Sequence, residues 1–284
     1  MSSPLVSVIF PVYNCGDFLY SSVTSILEQT YKNIQFIIIN DGSTDQSENI
    51  LNTFKDKRIK LISRENKGLI YTLNEAISLC EGEYIARMDG DDISHKERIY
   101  EQVKYLENNK NVAVLGCAAN IIDMESKIIG NRFPPQSPAM NKALLLFGPT
   151  LIHPSVMFNK KLIGEDLYYN ENAYLAEDYE LWLRMSFKYK LSNMNKILFD
   201  YRYNENGVSN SNVEEQKLSA ASIYFKMFYD VNNKSAFDAI KKINLRKINS
   251  KYVVFKSVLT IINGDFFSKD SLIKLLYVLR WIIK

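Results

Sequence analysis

The chain has 284 residues, a formal charge of +3, 46% hydrophobic and 24% charged residues; this suits one large domain, or a domain with an appendage, around a real core, and excludes disordered or fibrous classes. Cys15, Cys80 and Cys117 are odd in number and far apart, so neither a disulfide framework nor a CxxC metal site fits, and two histidines leave a zinc centre unexpected. The opening MSSPLVSVIFPVYN has no basic, apolar leader and no window holds the roughly 18 apolar residues of a spanning helix, which points to a reducing, cytoplasmic setting.

In chain order, Val6–Pro11 reads as a buried strand and Phe18–Gln29 as a helix with Leu19, Val23, Ile26 and Leu27 inward. Ile34–Asn40 is a second strand, rich in β-branched residues, and Asp41–Asp45 is turn and helix-cap chemistry. A helix to about Phe54 follows, with Ile50 and Leu51 inward, then a strand at Arg58–Ser63. Asn66-Lys67-Gly68 opens a helix whose stripe is Leu69, Leu73, Ile77 and Cys80, stopped at Glu81-Gly82. Glu83–Met88 is a fourth strand, His95–Asn109 a helix with Ile99, Val103 and Leu106 inward, and Val112–Ala118 a fifth strand. Beyond 130 the alternation breaks. Phe133–Pro138 is a loop, Ser155–Asn159 and Ile197–Tyr203 are strands, and Ala176–Lys188 is a helix. From Val213 the chain reads as helical, with a break at Asn263-Gly264.

Strands alternating with helices to about residue 120 predict βαβ units, hence an α/β fold with a mostly parallel sheet flanked by helices. Ligands of such sheets sit beyond the carboxyl ends of the strands. Segments 11–14, 41–45, 64–68 and 89–92 begin at strand ends and should therefore converge on one edge. The domain expected is 1–212, followed by a helical extension, 213–284.

Asp89-Gly90-Asp91 places carboxylates at alternate positions after a strand. Two such carboxylates can hold a hard divalent cation, with nucleotide phosphates completing the octahedron, and the glycine would let a ligand approach the backbone. Taken alone, the tripeptide reads better as a solvated acidic turn than as a metal site. Its company decides otherwise. VSVIFPVYN, IIINDGSTD, ENKG, GEYIARMDGDD and AEDYELWLR occur in that order, and together resemble the family 2 glycosyltransferases over residues 4–205.

The resemblance implies the GT-A fold and inverting transfer of a sugar from a nucleotide diphosphate donor, usually with Mn²⁺ or Mg²⁺. By motif, Pro11, Tyr13 and Asn14 line the nucleotide pocket, with Tyr13 stacking on the base. Asp41 accepts the imide N–H of a uracil-type base, although Asn40 stands where many relatives have a first aspartate. Arg64, Asn66 and Gly68 approach the base or diphosphate. Asp89 reaches the ribose or a metal-bound water, Asp91 is the principal metal ligand, and Asp92 caps the following segment. In the Glu177-Asp178 pair, Asp178 is the catalytic base and Glu177 positions it. Without the other motifs the pair would read as acids stabilising a helix N-terminus, worth about 0.3–1 kcal/mol. His153, in LIHPSVMF, either contacts diphosphate or acceptor or is a packed, hydrogen-bonded histidine; His95 reads as a helix-start residue and Trp182 as core.

Charge is unevenly placed. Residues 234–284 hold eleven Lys/Arg against three Asp/Glu, a net +8, which leaves −5 for residues 1–233. SLIKLLYVLRWIIK, basic and apolar with a tryptophan, is read as a helix lying in a membrane interface, or else as a cap on the domain or a homodimer interface. The function expected is a metal-dependent hexosyl- or N-acetylhexosaminyl-type transferase. Its donor is a nucleotide-sugar, a UDP-sugar by the base reading. Its acceptor is a glycan or lipid-linked saccharide of capsule, exopolysaccharide or lipopolysaccharide, at the cytoplasmic face of a bacterial membrane. The Lys/Asn/Ile-rich composition suggests the AT-rich bacterial source. No nucleic-acid partner is expected. A non-catalytic nucleotide-sugar scaffold would have lost Asp91 or Asp178, and a nucleotidyltransferase would carry a Gly-rich basic loop where PVYNCGDF stands.

Overall fold

The computed structural model describes residues 3–204, 213–229, 232–245, 250–262 and 268–283. The chain forms two compact units: residues 1–134, 151–169 and 189–204 make the first, and 135–150, 170–188 and 205–284 the second. The boundary expected at 212 and the helix break expected at Asn263-Gly264 lie outside the described residues.

The first unit is a sheet of β1 (Val6–Val12), β2 (Ile34–Asp41), β3 (Ile59–Arg64), β4 (Tyr84–Arg87), β5 (Ile93–Ser94), β6 (Val112–Ile122), β7 (Ile128–Arg132), β8 (Met157–Asn159) and β9 (Lys190–Arg202). The order is β3-β2-β1-β4-β8-β6-β9-β5, with β7 on β6. Strands β1 to β4 are parallel, as the βαβ pattern requires, and β6 and β9 run with them. Strands β8, β5 and β7 run against their neighbours. Helices α1 (Gly16–Leu27), α2 (Ser47–Leu51), α3 (Leu69–Ser78) and α4 (Arg98–Asn108) make the crossovers. Every residue of β1 is buried, because both sheet faces are covered and a strand so placed reads as one apolar run. Phe10 and Phe36 meet edge to face at 5.3 Å in the core.

The structure corrects several sequence boundaries. The stripe of α3 is Thr72, Leu73 and Ala76 with Cys80 beyond it, while Leu69 at its start is 41% exposed. Strand Ile197–Tyr203 is the end of a strand that starts at Lys190, hidden by the polar KLSNMNK. Strand β7 went unread because its residues are exposed or only half-buried and carry no core-facing alternation.

The second unit contains α5 (Pro138–Leu144), α6 (Glu177–Lys188), α7 (Val213–Phe228), α8 (Lys234–Asn244), α9 (Lys251–Ile262) and α10 (Lys269–Ile283). Tyr179 of α6 donates to the Leu145 carbonyl at 2.5 Å, and the Phe147 and Tyr277 rings lie 4.6 Å apart. Trp182 is fully buried, as a core residue should be. Among the described residues no helix is long and apolar enough to cross a membrane.

Candidate active site

The expected convergence of strand ends is present, and Pro11 shows how it opens. The Ile9 carbonyl accepts from the Met88 N–H, so Ile9 and, two residues on, Pro11 face β4. Pairing with β4 stops at Ile9–Arg87, while pairing with β2 continues to Val12–Asn40. The missing N–H of Pro11 therefore falls where β4 has already left, the one place a central strand tolerates proline. The chain after β1 turns through Asn14, at φ +53°, a left-handed conformation that asparagine accepts better than most residues. Asn14 Oδ1 accepts from the Thr44 N–H at 2.8 Å and its N–H donates to Ser43 Oγ at 3.1 Å, tying the first loop to the second. Tyr13 beside it is 52% exposed. Asn40, at the position of the first aspartate in many relatives, builds the turn itself, its Oδ1 accepting from the Ser43 N–H at 3.1 Å.

Asp41 is the hub of the second and third strand ends. Its Oδ1 accepts from the Arg64 guanidinium and from the Lys67 N–H at 2.8 Å, and its Oδ2 from the Gly68 N–H at 3.0 Å. Asn66 Nδ2 donates to the Asp41 carbonyl at 2.9 Å. Gly68 sits at φ +85°, which side chains rarely adopt, and this lets its N–H face Asp41 while the residue starts α3. Arg64 also holds Glu75 at 2.8 Å and Thr72 Oγ1 at 2.9 Å. Asp41, Arg64, Asn66 and Gly68 thus form one station, and the Arg64 guanidinium is spent on holding Asp41 rather than reaching outward.

The acidic loop follows β4. One carboxylate oxygen from each of Asp89, Asp91 and Asp92 lies within 4.8 Å of the others. Asp89 pairs with the buried Arg87 at 2.6 Å, and the Arg87 carbonyl accepts from the equally buried Arg98 at 2.6 Å. Burial raises the Asp89 carboxyl above its ordinary range despite Arg87, and burial with the charge of Asp89 pushes Asp91 up to about 6. Asp92 is driven well above its usual range, by burial first and then by Asp91 and Asp89. Asp92 does not cap the following segment: its Oδ1 accepts from the Arg202 N–H of β9 at 2.8 Å. Among the described residues its Oδ2 has no partner, nor do Nε and Nη1 of Arg87. A Cβ at Gly90 would lie 2.9 Å from Cys15 Sγ, so the glycine also leaves room for the first loop.

Two arginines escaped the sequence reading. Arg87 was hidden inside an apolar strand, and Arg202 lay far along the chain. Arg202 donates from Nε to the Asp91 carbonyl at 2.8 Å and from Nη1 to the Asp123 carbonyl at 2.6 Å, with its Cζ 4.1 Å from the centre of the Phe18 ring. Its guanidinium braces the acidic loop through the Asp91 carbonyl rather than the Asp91 carboxylate.

His153 Nε2 lies 2.7 Å from Tyr169 Oη, and burial followed by the charge of Arg87 holds its pKa well below the ordinary value. His153 is half-buried, and its hydrogen bond to Tyr169 accords with the packed alternative. His95 pairs with Asp200 at 2.7 Å just ahead of α4. In the second unit, Glu177 and Asp178 are half-buried at the N-terminus of α6, and Asp178 Oδ1 accepts from the Tyr179 N–H at 2.6 Å. Leu175, two residues earlier, has φ +64°, a strained conformation for a bulky side chain of the kind that clusters at functional sites.

The model of glycosyl transferase family 2 matches residues 7–166. An uncharacterized glycosyltransferase of Haemophilus influenzae is 35% identical over 268 residues, covering 89% of this chain and 82% of its own. The putative glycosyltransferase EpsE of Bacillus subtilis is 36% identical over 189 residues, 64% of this chain and 67% of its own. Two solved structures share the fold. Staphylococcus aureus TarS 1–349 in complex with UDP-GlcNAc has a TM-score of 0.64 at 18% identity, over 98% of this chain and 80% of that one. The mannosyltransferase PcManGT of Pyrobaculum calidifontis, in complex with GDP-Man and Mn²⁺, has a TM-score of 0.64 at 15% identity, over 100% and 82%. The chain belongs to glycosyl transferase family 2 and has the GT-A fold.

Proposed function

We propose that this family 2 glycosyltransferase moves a hexosyl or N-acetylhexosaminyl group, with inversion, from a UDP-sugar to a hydroxyl of a growing bacterial surface glycan. The acceptor is lipid-linked, so the enzyme works at the cytoplasmic face of a membrane. The observation that carries the reading is the Asp89, Asp91 and Asp92 cluster at the end of β4, with the Asp41 station at the ends of the adjoining parallel strands. The two solved structures, with UDP-GlcNAc in one and GDP-Man and Mn²⁺ in the other, support a nucleotide-sugar donor and a divalent ion.

The residues present fit such an ion. The donors are hard carboxylate oxygens, gathered within 4.8 Å and raised in pKa by burial and mutual repulsion, and one buried oxygen of Asp92 has no partner among the described residues. Asp91 and Asp89 would hold Mn²⁺ or Mg²⁺, which when bound would neutralise the departing diphosphate. Arg87 keeps Asp89 oriented, and Arg202 keeps the loop backbone in place. Asp41 uses three of about four carboxylate acceptor sites inside the protein, leaving one for the imide N–H of a uracil. Arg64 acts through Asp41 as its positioning residue, and exposed Tyr13 offers its ring to the base. Asp178 takes the proton of the acceptor hydroxyl, with Glu177 beside it.

Calorimetric titration with UDP, with Mn²⁺ and then with EDTA, tests the proposal. Micromolar binding that requires the metal is expected. GDP or dTDP binding in place of UDP overturns the base reading, and silence from all three nucleotides overturns the donor site.

A further inference from the structure

Helix α10 leaves large apolar side chains exposed, which a helix lying against solvent should not. Its inner face is accounted for: Val278 is fully buried, Tyr277 packs on Phe147, and Lys274 is buried in an ion pair with Asp270 at 2.6 Å. Its outer face carries Leu272, Leu276 and Leu279, which are 51%, 57% and 40% exposed. Their spacing puts them on one ridge. Lys269 and Arg280 are exposed along one edge of that ridge. On α9, Tyr252, 72% exposed, and Lys256 project one helical turn apart, with Lys251 also exposed. Residues 234–284 carry +8 in sequence.

We infer that the α10 leucine ridge is a membrane-docking face, which inserts into the interface of a bilayer rich in anionic phospholipid while Lys269, Arg280 and the lysines of α9 meet its headgroups. Charge chooses this occupant. A second copy of the chain would set one +8 segment against another, whereas an anionic surface attracts both the ridge's flanks and α9. The geometry suits a helix lying in the surface plane, its polar flank at headgroup level and its leucines below. The inference deepens the membrane reading above by naming the face and the lipid, and rests on that reading only for where the acceptor is found.

The test is flotation of the full-length protein with vesicles of phosphatidylglycerol and phosphatidylcholine, and with vesicles of phosphatidylcholine alone. Binding to the anionic vesicles is expected. It should fall at least about tenfold for Leu276→Glu and for Leu272→Glu, and several-fold when salt rises from about 0.1 to 0.5 M. Thermal melting and lipid-free UDP titration, each unchanged in both variants, separate loss of docking from loss of fold or of the donor site. Binding indifferent to the leucine substitutions overturns the inference. So does equal binding to neutral vesicles, or a soluble dimer that Leu276→Glu dissociates and that binds no lipid.

Discussion

Replacing Asp91 by asparagine should make the metal-free protein more stable at neutral pH. The Asp91 carboxyl is pushed up from 3.8 to about 6, first by burial and then by the charge of Asp89. A group with a raised pKa in the fold holds its proton more tightly folded than unfolded. Its stabilising contribution is complete below about pH 4 and is lost as pH rises through about 6. Above that, the ionised carboxylate weakens the fold by roughly two pKa units, or about 3 kcal/mol. Asparagine removes the charge without supplying the carboxyl proton, so a gain of about 1–3 kcal/mol is expected at pH 7.5. The Arg202 brace survives, because it grips the Asp91 carbonyl. Urea unfolding in EDTA at pH 7.5 and at pH 4.5 measures the effect: the variant should lead at the higher pH and lose that lead at the lower. Saturating Mn²⁺ should then stabilise the parent chain, by about 2.7 kcal/mol at a hundredfold excess over the dissociation constant, and leave the variant unmoved. An Asp91→Asn protein less stable than its parent at pH 7.5 in EDTA would refute the reasoning, since the carboxylate would then be a structural partner.

Gly90→Ala drives a methyl group to 2.9 Å from Cys15 Sγ and should cost about 1–3 kcal/mol in thermal or urea unfolding, with part of the loss recovered in the Cys15→Ala, Gly90→Ala double variant. Asp41→Ala strips the acceptor from Arg64 and from two backbone N–H groups. It should cost about 3 kcal/mol, the low end for a broken buried pair because Glu75 still holds Arg64, and calorimetry should show uridine-nucleotide binding lost. Asp178→Asn should bind UDP as the parent does and lose transfer by about 10²–10⁴-fold in a sugar-transfer assay; full activity would place the base elsewhere.

What the sequence made legible was local. The strands β1, β2 and β4 announce themselves with apolar runs and β3 with apolar residues among polar ones, and the loops after them carry residue types that only a turn or a ligand explains. The buried stripe Ile99, Val103 and Leu106 of α4 follows from helical spacing alone. What stayed hidden depends on partners distant in sequence. Arg202 reaches the acidic loop from 111 residues away, and nothing in FDYRYN distinguishes it from a surface arginine. Strand β9 pairs with β6 through its polar first half, where no apolar period exists to read. Gly90 was legible as a glycine open to a ligand, while the closeness of Cys15 to it is something only the fold brings about.

Charge explains why these hidden residues matter to the site. Three carboxylates gather at the end of β4, yet of the nearby Arg87, Arg98 and Arg202 guanidiniums only that of Arg87 pairs with one of them among the described residues. Arg202 spends its N–H groups on two backbone carbonyls and Ser126, so it steadies the loop without saturating the acids. Had Arg202 forked onto Asp91, the cluster would be a satisfied salt bridge with low pKa values and little use for a cation. Instead Asp91 is left near 6, a carboxylate that burial and its neighbour make costly to ionise. A dication entering this cluster would make it net positive, and a net positive pocket is what a diphosphate seeks. A fold that wanted only stability would have placed an asparagine there.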